Sequence, residues 1–561
     1  MASTRLERFG TSVSGSSSRF ARDEEGSLVI FGLFCFCMML VLAGLAVDLM
    51  RFEERRTLLQ NTVDRASLAA ADLQQTLPPK DVVRDYFAKA GLQPPADSDI
   101  TVTEGAHGDS RKVQIVVGEE MPTWFMKIVG VPVLGAPANS TAEESIGQIE
   151  ISLVLDVSGS MNSNQRLTRL KPAARNFVDE IFDSAEPGKV SISVIPYATQ
   201  VAMSDDLISY FNVTQEHTYS NCIEFEDALG DFDTTTVSFG NNPGDRVYQR
   251  NGHFDPFYKT SRVGDEFSGS LLNCPTATAR HILPFSDDRT AIKNYINNLS
   301  AYGNTSIDIG MKWGAALLDP SMQGVVDGMI ADGDLPSEFD DRPYAYNNGE
   351  VLKVLVLMTD GANTTEYRLR DNYNGNNQSL LVRNKWYREN SSSSDDNSKD
   401  QYSLYNPNNN KYYSFKKEQW RTQPYGNVSG DNGYSSGHPQ AVPMNWSDVW
   451  HDVSLEYFAH EIVRDAYNST EGNKWDPDRS NAIPSTYIAN EKDQRTLDMC
   501  NTTKAASPRL RIYTIAFEAP YDGRQLLNAC QNAGFYSVEG LDINKAFEGI
   551  VNSINKLRLT H

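Results

Sequence analysis

The chain is poor in cysteine, poor in histidine and has no excess of basic charge. Six of its 561 residues are cysteine and eight are histidine. Lysine and arginine total 51 against 73 aspartates and glutamates, a formal net charge of -22. That deficit argues against a nucleic-acid partner, which calls for a basic face to displace counterions. It argues equally against adhesion to anionic lipid, and reads chiefly as solubility. None of the four cysteines beyond residue 47 shows the close paired spacing of a zinc site. His253, His281, His438, His451 and His460 form no triad motif and read as core or surface residues, so a serine nucleophile would lack a recognisable base. An apolar fraction of 40% suffices for packed cores, and the length implies more than one domain.

Long hydrophobic runs are absent except for one. Ser27 to Val47 reads SLVIFGLFCFCMMLVLAGLAV without a charge, about 21 residues, enough to cross a hydrocarbon core as a helix. The helical pattern continues through Asp48-Leu-Met-Arg-Phe-Glu-Glu-Arg-Arg56, unlike a signal peptide with a short core and a cleavage site, so the segment reads as a retained anchor. Arg5, Arg8, Arg19 and Arg22 before it balance Arg51, Arg55, Arg56 and Arg65 after it, and the positive-inside rule ties. Cysteine placement breaks the tie. Cys35 and Cys37 sit in the span, whereas Cys222, Cys274, Cys500 and Cys530 follow it, an even number suited to bridges on an oxidising exterior. Three pairings are open, the nearest in sequence being Cys222–Cys274 and Cys500–Cys530; the rival reading is four buried thiols in a reducing cytosol.

The order of parts follows from composition and periodicity. Residues 1–26, rich in Ser, Arg and Gly, read as a disordered cytoplasmic N-terminus, followed by the transmembrane helix at 27–47. In 48–148 a juxtamembrane helix carries Phe52, Leu59, Val63, Ala66 and Ala70 on one stripe, suited to packing on a partner helix or on the segment that follows. A small α+β unit comes next, with a helix at Val82–Ala90, strands at Ile100–Thr103 and Lys112–Val117, and a turn at 105–109. Trp124, Phe125 and Met126 read there as core. From 149 to 561, apolar strands at Ile151–Leu155, Val190–Ile195, Val351–Met358 and Leu510–Phe517 alternate with amphipathic helices. One helix carries Leu170, Ala174, Phe177, Val178 and Ile181, with Pro172 in its first turn. That rhythm predicts an α/β fold, a doubly wound mostly parallel sheet of Rossmann-like kind. Insertions near 204–286 and 364–446 interrupt it. The first is aromatic and acidic, the second dominated by Asn, Ser, Tyr, Asp and Gly, including the run at 391–396. Both read as candidate partner-contacting surface, with solvated filler as the rival reading of the second.

Three segments carry the chemistry: Asp156-Val-Ser158-Gly-Ser160 after the first strand, Gly303-Asn-Thr305 before a helix-like run, and Thr359-Asp360-Gly361 after a later strand. Asp156, Ser158, Ser160, Thr305 and Asp360 are hard oxygen donors on turns at a sheet edge, the choice for Mg²⁺ first, with Mn²⁺ or Ca²⁺ as alternatives. A partner's carboxylate would complete an octahedral shell.

Those segments, in that order, resemble the metal-ion-dependent adhesion site of von Willebrand factor A domains, over roughly Ile149 to His561. The resemblance implies metal-dependent protein binding through Asp156, Ser158, Ser160, Thr305 and Asp360, without catalysis. Arg22-Asp-Glu-Glu-Gly26, Asp48-Leu-Met-Arg51 and Leu58-Leu-Gln-Asn-Thr-Val-Asp-Arg-Ala-Ser-Leu-Ala-Ala-Ala71 resemble the TadE/TadG-like proteins of bacterial tight-adherence (Flp) pilus systems. A prepilin-type cleavage site is incomplete, because the fifth position after Gly26 is Phe31 rather than Glu. The implied protein is a single-pass component of the bacterial inner membrane, its C-terminal domain in the periplasm or outside, whose partners are pilus assembly proteins supplying an acidic residue. The alternative is a surface-exposed adhesin or a pilin-like envelope protein.

Overall fold

The apolar run and the charged stretch after it form one continuous helix, α1 (Glu25–Ala71). The computed structural model describes residues 25–72, 75, 77–104, 110–145, 147–185, 187–240, 245–257, 272–348, 350–390, 399–476 and 484–559. The expected turn at 105–109, the Ser/Asp run at 391–396, and all of the expected N-terminal disorder except Glu25 and Gly26 lie outside these residues. Among the described residues α1 is the one helix long and apolar enough to cross a membrane. The chain divides into two units, Met1–Ile146 and Gly147–His561.

In the first unit the second half of α1 lies on α2 (Pro79–Lys89) and on an antiparallel sheet of β1 (Ile100–Glu104), β2 (Ser110–Pro122) and β3 (Val133–Ser145), in that order. Leu59, Val63, Ala66 and Ala70 form its core with Val83, Phe87, Val113 and Ile115. The helical stripe thus packs on its own following segment. Strand β3 was not legible, because Gly135-Ala-Pro-Ala-Asn-Ser-Thr-Ala-Glu143 offers only alanines to the core and no large apolar alternation. Its partner β2 supplies the branched side chains, and Pro122 pairs with Val133 where the hairpin ends. Trp124 and Phe125, read as core, are 57% and 40% exposed on the tip that joins these strands.

The second unit is built on a six-stranded sheet of β4 (Gln148–Asp156), β5 (Val190–Tyr197), β6 (Leu283–Ser286), β7 (Val351–Thr359), β8 (Arg511–Phe517) and β9 (Gly534–Val538). Its spatial order is β9-β8-β7-β4-β5-β6. The pairings are parallel except for the edge strand β6, which runs antiparallel to β5. This is the doubly wound, mostly parallel sheet expected. Successive residues face opposite sides: Ile151, Leu153 and Leu155 of β4 pack with one group of helices, Val154 with the other. The first group is α3 (Arg166–Asp183), α4 (Arg289–Asn298) and α8 (Ile543–Leu559); the second is α5 (Ile307–Ala316), α6 (Ala489–Ala506) and α7 (Tyr521–Cys530). Helix α3 begins earlier than the proline suggested, so Pro172 lies inside it. Strands β6 and β9 were too short and too weakly apolar to be read.

The insertions differ from their sequence impression. In the first, Phe211 and Phe225 pack edge-on against Trp313 of α5, with ring centroids 5.5 and 5.6 Å apart, and Phe232 and Tyr248 join the same core, while Phe254 is buried in the core of the second insertion. In the second, strands Gln378–Asn384, Tyr402–Asn406, Lys411–Ser414, Gln419–Arg421 and Ala441–Asn445 form their own antiparallel sheet. Trp446, Trp450 and Phe458 anchor a separate core beside it. Its polar composition conceals this because few, large aromatics do the burying. Disulfides join Cys222 to Cys274 and Cys500 to Cys530, while Cys35 and Cys37 are free.

Helix α5 approaches the sheet closely because Gly314 has no side chain: a Cβ there would lie 2.5 Å from Val154 Cγ2. Gly314→Ala should destabilise the detergent-solubilised chain by about 1–3 kcal/mol in urea unfolding, as overpacking against a stiff β-branched neighbour does. Thiol labelling of the denatured chain should modify Cys35 and Cys37 alone before reduction and all six cysteines after it.

Candidate metal centre

The end of β4 carries a carboxylate into a fully buried position. Asp156 is 0% exposed. Its Oδ1 accepts the Ser158 N–H at 2.7 Å, and its Oδ2 accepts the Thr359 hydroxyl at 2.6 Å, from the end of the neighbouring strand β7. The chain then turns through Ser158 and Ser160, whose hydroxyls are 3.0 Å apart. Ser160 donates to Asp360 Oδ1 at 2.6 Å. Parallel strands bring these loops to one edge of the sheet, where doubly wound folds hold their ligands.

The third segment reaches the same edge through backbone contacts. Gly159 N donates to Gly303 O at 2.9 Å, and Gly303 itself has φ of +89°, which favours glycine. A Cβ on Gly159 would lie 3.3 Å from that same oxygen, so the two glycines let the loops meet. Thr305 follows. A point one Cβ bond from Gly361 lies 3.8 Å from Thr305 Oγ1, 3.9 Å from Thr359 Oγ1 and 4.0 Å from Ser160 Oγ, so these hydroxyls converge around a glycine that leaves them room. Asp156, Ser158, Ser160 and Asp360 thus share one hydrogen-bonded cluster with Thr305 beside it.

Residues that the motif did not name hold the cluster in place. Lys492 of α6, fully buried, donates to Thr305 O at 2.9 Å, Ser306 Oγ at 2.6 Å and Thr364 O at 2.9 Å. Thr199, after β5, accepts the Asn304 N–H at 2.9 Å. Arg166, at the start of α3, donates to Asp360 Oδ2 at 2.8 Å and to Glu518 Oε2 at 2.9 Å, while Arg169 also reaches Glu518 at 3.2 Å. The turn into α3 places Asn164 and Gln165 at φ of 52° and 57°, a conformation uncommon outside glycine. Arg166 carried a signal in the sequence only as a cation shortly after Ser160. Lys492 and Glu518 carried none, since only folding brings them near.

The electrostatics call for positive charge. Burial, with the neighbouring Asp360 charge second, pushes the Asp156 carboxyl up to about 7. Burial raises Asp360 as well, against the bonds from Ser160 and Arg166 that lower it. Two buried carboxylates and three hydroxyls form an all-oxygen donor set that fits a hard divalent cation. Among the described residues no group of three or more His, Cys, Asp or Glu side chains is placed to hold a metal, so any cation here relies on the hydroxyls.

Arg166 is 16% exposed and Asp360 0% at the side chain. Arg166→Leu leaves Asp360 without its cation and should cost on the order of 3 kcal/mol in metal-free unfolding, as breaking a largely buried ion pair does. A variant as stable as the wild type would mean that the pair is not formed.

Residues 26–73 match the family model described as putative Flp pilus-assembly TadE/G-like. No match was found among curated proteins. Among solved structures, the pilus adhesin SpaC from Lactobacillus rhamnosus GG is 10% identical, with 82% of this chain covering 33% of that one and a TM-score of 0.27. This chain therefore spans about a third of that adhesin's length. The vWF domain of the type V pili tip protein Mfa5 from Porphyromonas gingivalis is 10% identical over 74% of this chain and 97% of its own, with a TM-score of 0.29. A von Willebrand factor type A structure from Catenulispora acidiphila is 8% identical over 81% of this chain and 49% of its own, with a TM-score of 0.23. The segment that leads from the apolar run into the first unit is similar to the TadE/G-like family of Flp pilus assembly.

Proposed function

We propose that the chain is a membrane-anchored protein-binding component of a bacterial Flp pilus assembly system, acting through a divalent cation. The observation that supports this best is the meeting of Asp156, Ser158, Ser160, Thr305 and Asp360 at one edge of a parallel sheet. Asp156, Ser158 and Ser160 would hold the ion from one turn, Thr305 from a second, and Asp360 from a third, directly or through water. With two carboxylates among its ligands, a bound Mg²⁺ would keep attraction for one more anion, and a partner's Asp or Glu would supply it. The role is adhesive, not catalytic. The TadE/G-like segment supports the pilus setting. The two disulfides support placement of the second unit on the oxidising side of an inner membrane that α1 crosses once.

Calorimetry on the full chain in detergent tests the ion. Mg²⁺ or Mn²⁺ should bind the wild type, and Asp156→Ala should weaken binding at least tenfold; unchanged binding would sink the assignment. Affinity capture of the intact protein from its own membranes, with and without chelator, tests the partner. Pilus assembly proteins should be captured and then lost on chelation, and a chelator-insensitive set would overturn metal-dependent docking.

A further inference from the structure

The tip of the β2–β3 hairpin is apolar, exposed and fastened to the membrane helix. Between Met121 and Leu134 the single charged residue is Lys127, in a chain whose formal net charge is -22. Trp124, Ile128 and Val129 are 57%, 71% and 53% exposed. Three such side chains together mark a surface that meets another apolar surface.

The tip's position on α1 explains them. Gly44 and Asp48, one turn apart on α1, are both buried beneath it. A Cβ on Gly44 would lie 2.5 Å from Phe125 Cγ, so the phenylalanine ring rests on the glycine. Asp48 accepts the backbone N–H groups of Trp124, Phe125 and Met126 at 3.0, 2.6 and 2.7 Å, capping the short turn Met126–Val129. The Arg51 guanidinium stacks over the Trp124 ring at 3.6 Å. The apolar run of α1 ends at Val47. At about 1.5 Å of rise per residue, Gly44 lies roughly 4.5 Å inside that end and Arg51 roughly 6 Å beyond it. The tip is therefore held against α1 at the end of its apolar run.

We propose that this tip is a membrane-docking element, seating Trp124, Phe125, Ile128 and Val129 in the interfacial layer of the bilayer that α1 spans. A tryptophan with a cation on its face is suited to that layer, which favours amphipathic rings. Lys127 can lay its methylenes along lipid and place its ammonium among phosphates. Asp48 tolerates the boundary because three N–H groups satisfy it. The tip and α1 together give the first unit two points of attachment to the membrane surface, which restrains its tilt as a lone helix would not.

The proposal rests on α1 crossing the bilayer, and the test separates the two. The full chain is reconstituted in phosphatidylcholine–phosphatidylglycerol vesicles and spin-labelled at one thiol. In a Cys35→Ser, Cys37→Ser background the label is placed by Ile128→Cys, or by Val129→Cys as a second reading. A control chain with Cys35→Ser alone carries it at Cys37, inside the span. Collision with dissolved oxygen is compared with collision with a water-soluble nickel chelate. Labels at 128 and 129 should collide several-fold more with oxygen than with the chelate, as the Cys37 label should. A tip label open to the chelate while Cys37 stays lipid-facing would overturn the docking element and leave the anchor intact. A tip label shielded from both would mean that protein, a second copy included, covers the tip, and would equally overturn the proposal. A Cys37 label open to the chelate would overturn the anchor itself.

Discussion

A carboxylate buried at the end of a central parallel strand is costly, and the loops of the second unit are arranged around that cost. Asp156 has no access to water, so each oxygen must find a donor within the fold. One comes from its own turn at Ser158 and the other from Thr359 on the adjacent strand. These bonds bring the ends of β4 and β7 into one structure. Ser160 then ties the first turn to Asp360, and the Gly159–Gly303 backbone contact brings in the segment that carries Thr305. What remains uncompensated is charge. Arg166 answers part of it at Asp360 Oδ2. The proposed divalent cation would answer the rest beside the hydroxyls.

The scaffold is suited to hold such a cluster steady. The sheet is buried on both faces, so β4 and β7 cannot shift without disturbing two helical layers. Glycines at 310 and 314 let α5 lie close enough to place Thr305, just before its first turn, against the sheet edge. Lys492 then fixes the Thr305 carbonyl from α6, a helix that follows the second insertion in sequence. The insertions enlarge the unit: the first packs Phe211 and Phe225 against α5 and lends Phe254 to the core built by the second.

The first unit obeys a different constraint. Its sheet needs an apolar cover and takes it from the lower half of α1, so one helix serves both as membrane anchor and as core element. The same economy places the hairpin tip at the end of the apolar run, where Asp48 and Gly44 are spaced to receive it. Trp124 and Phe125 looked like core because large aromatics in a short α+β segment usually are. Exposure beside a membrane helix is a property of position, and composition does not carry it.

Periodicity and local chemistry determined a good deal of this protein in advance. Short segments dominated by branched and aromatic apolar residues named the long strands β4, β5, β7 and β8, since strands buried on both faces have little choice of residue. The uninterrupted run from Ser27 named the membrane helix, and three short segments named the residues that meet at the sheet edge. Tertiary structure alone decided the rest. Strands such as β3, β6 and β9 are held by their neighbours and need little pattern of their own. The second insertion hides its sheet because a few tryptophans and tyrosines, scattered among asparagines and serines, suffice for a core. Lys492 and Glu518 act at the site from distant positions in the chain, and electrostatic partners chosen across space leave no spacing to read. The sequence determined which groups could bond; packing decided which of them do, because burial makes an unmet bond or charge expensive only once the chain has closed around it.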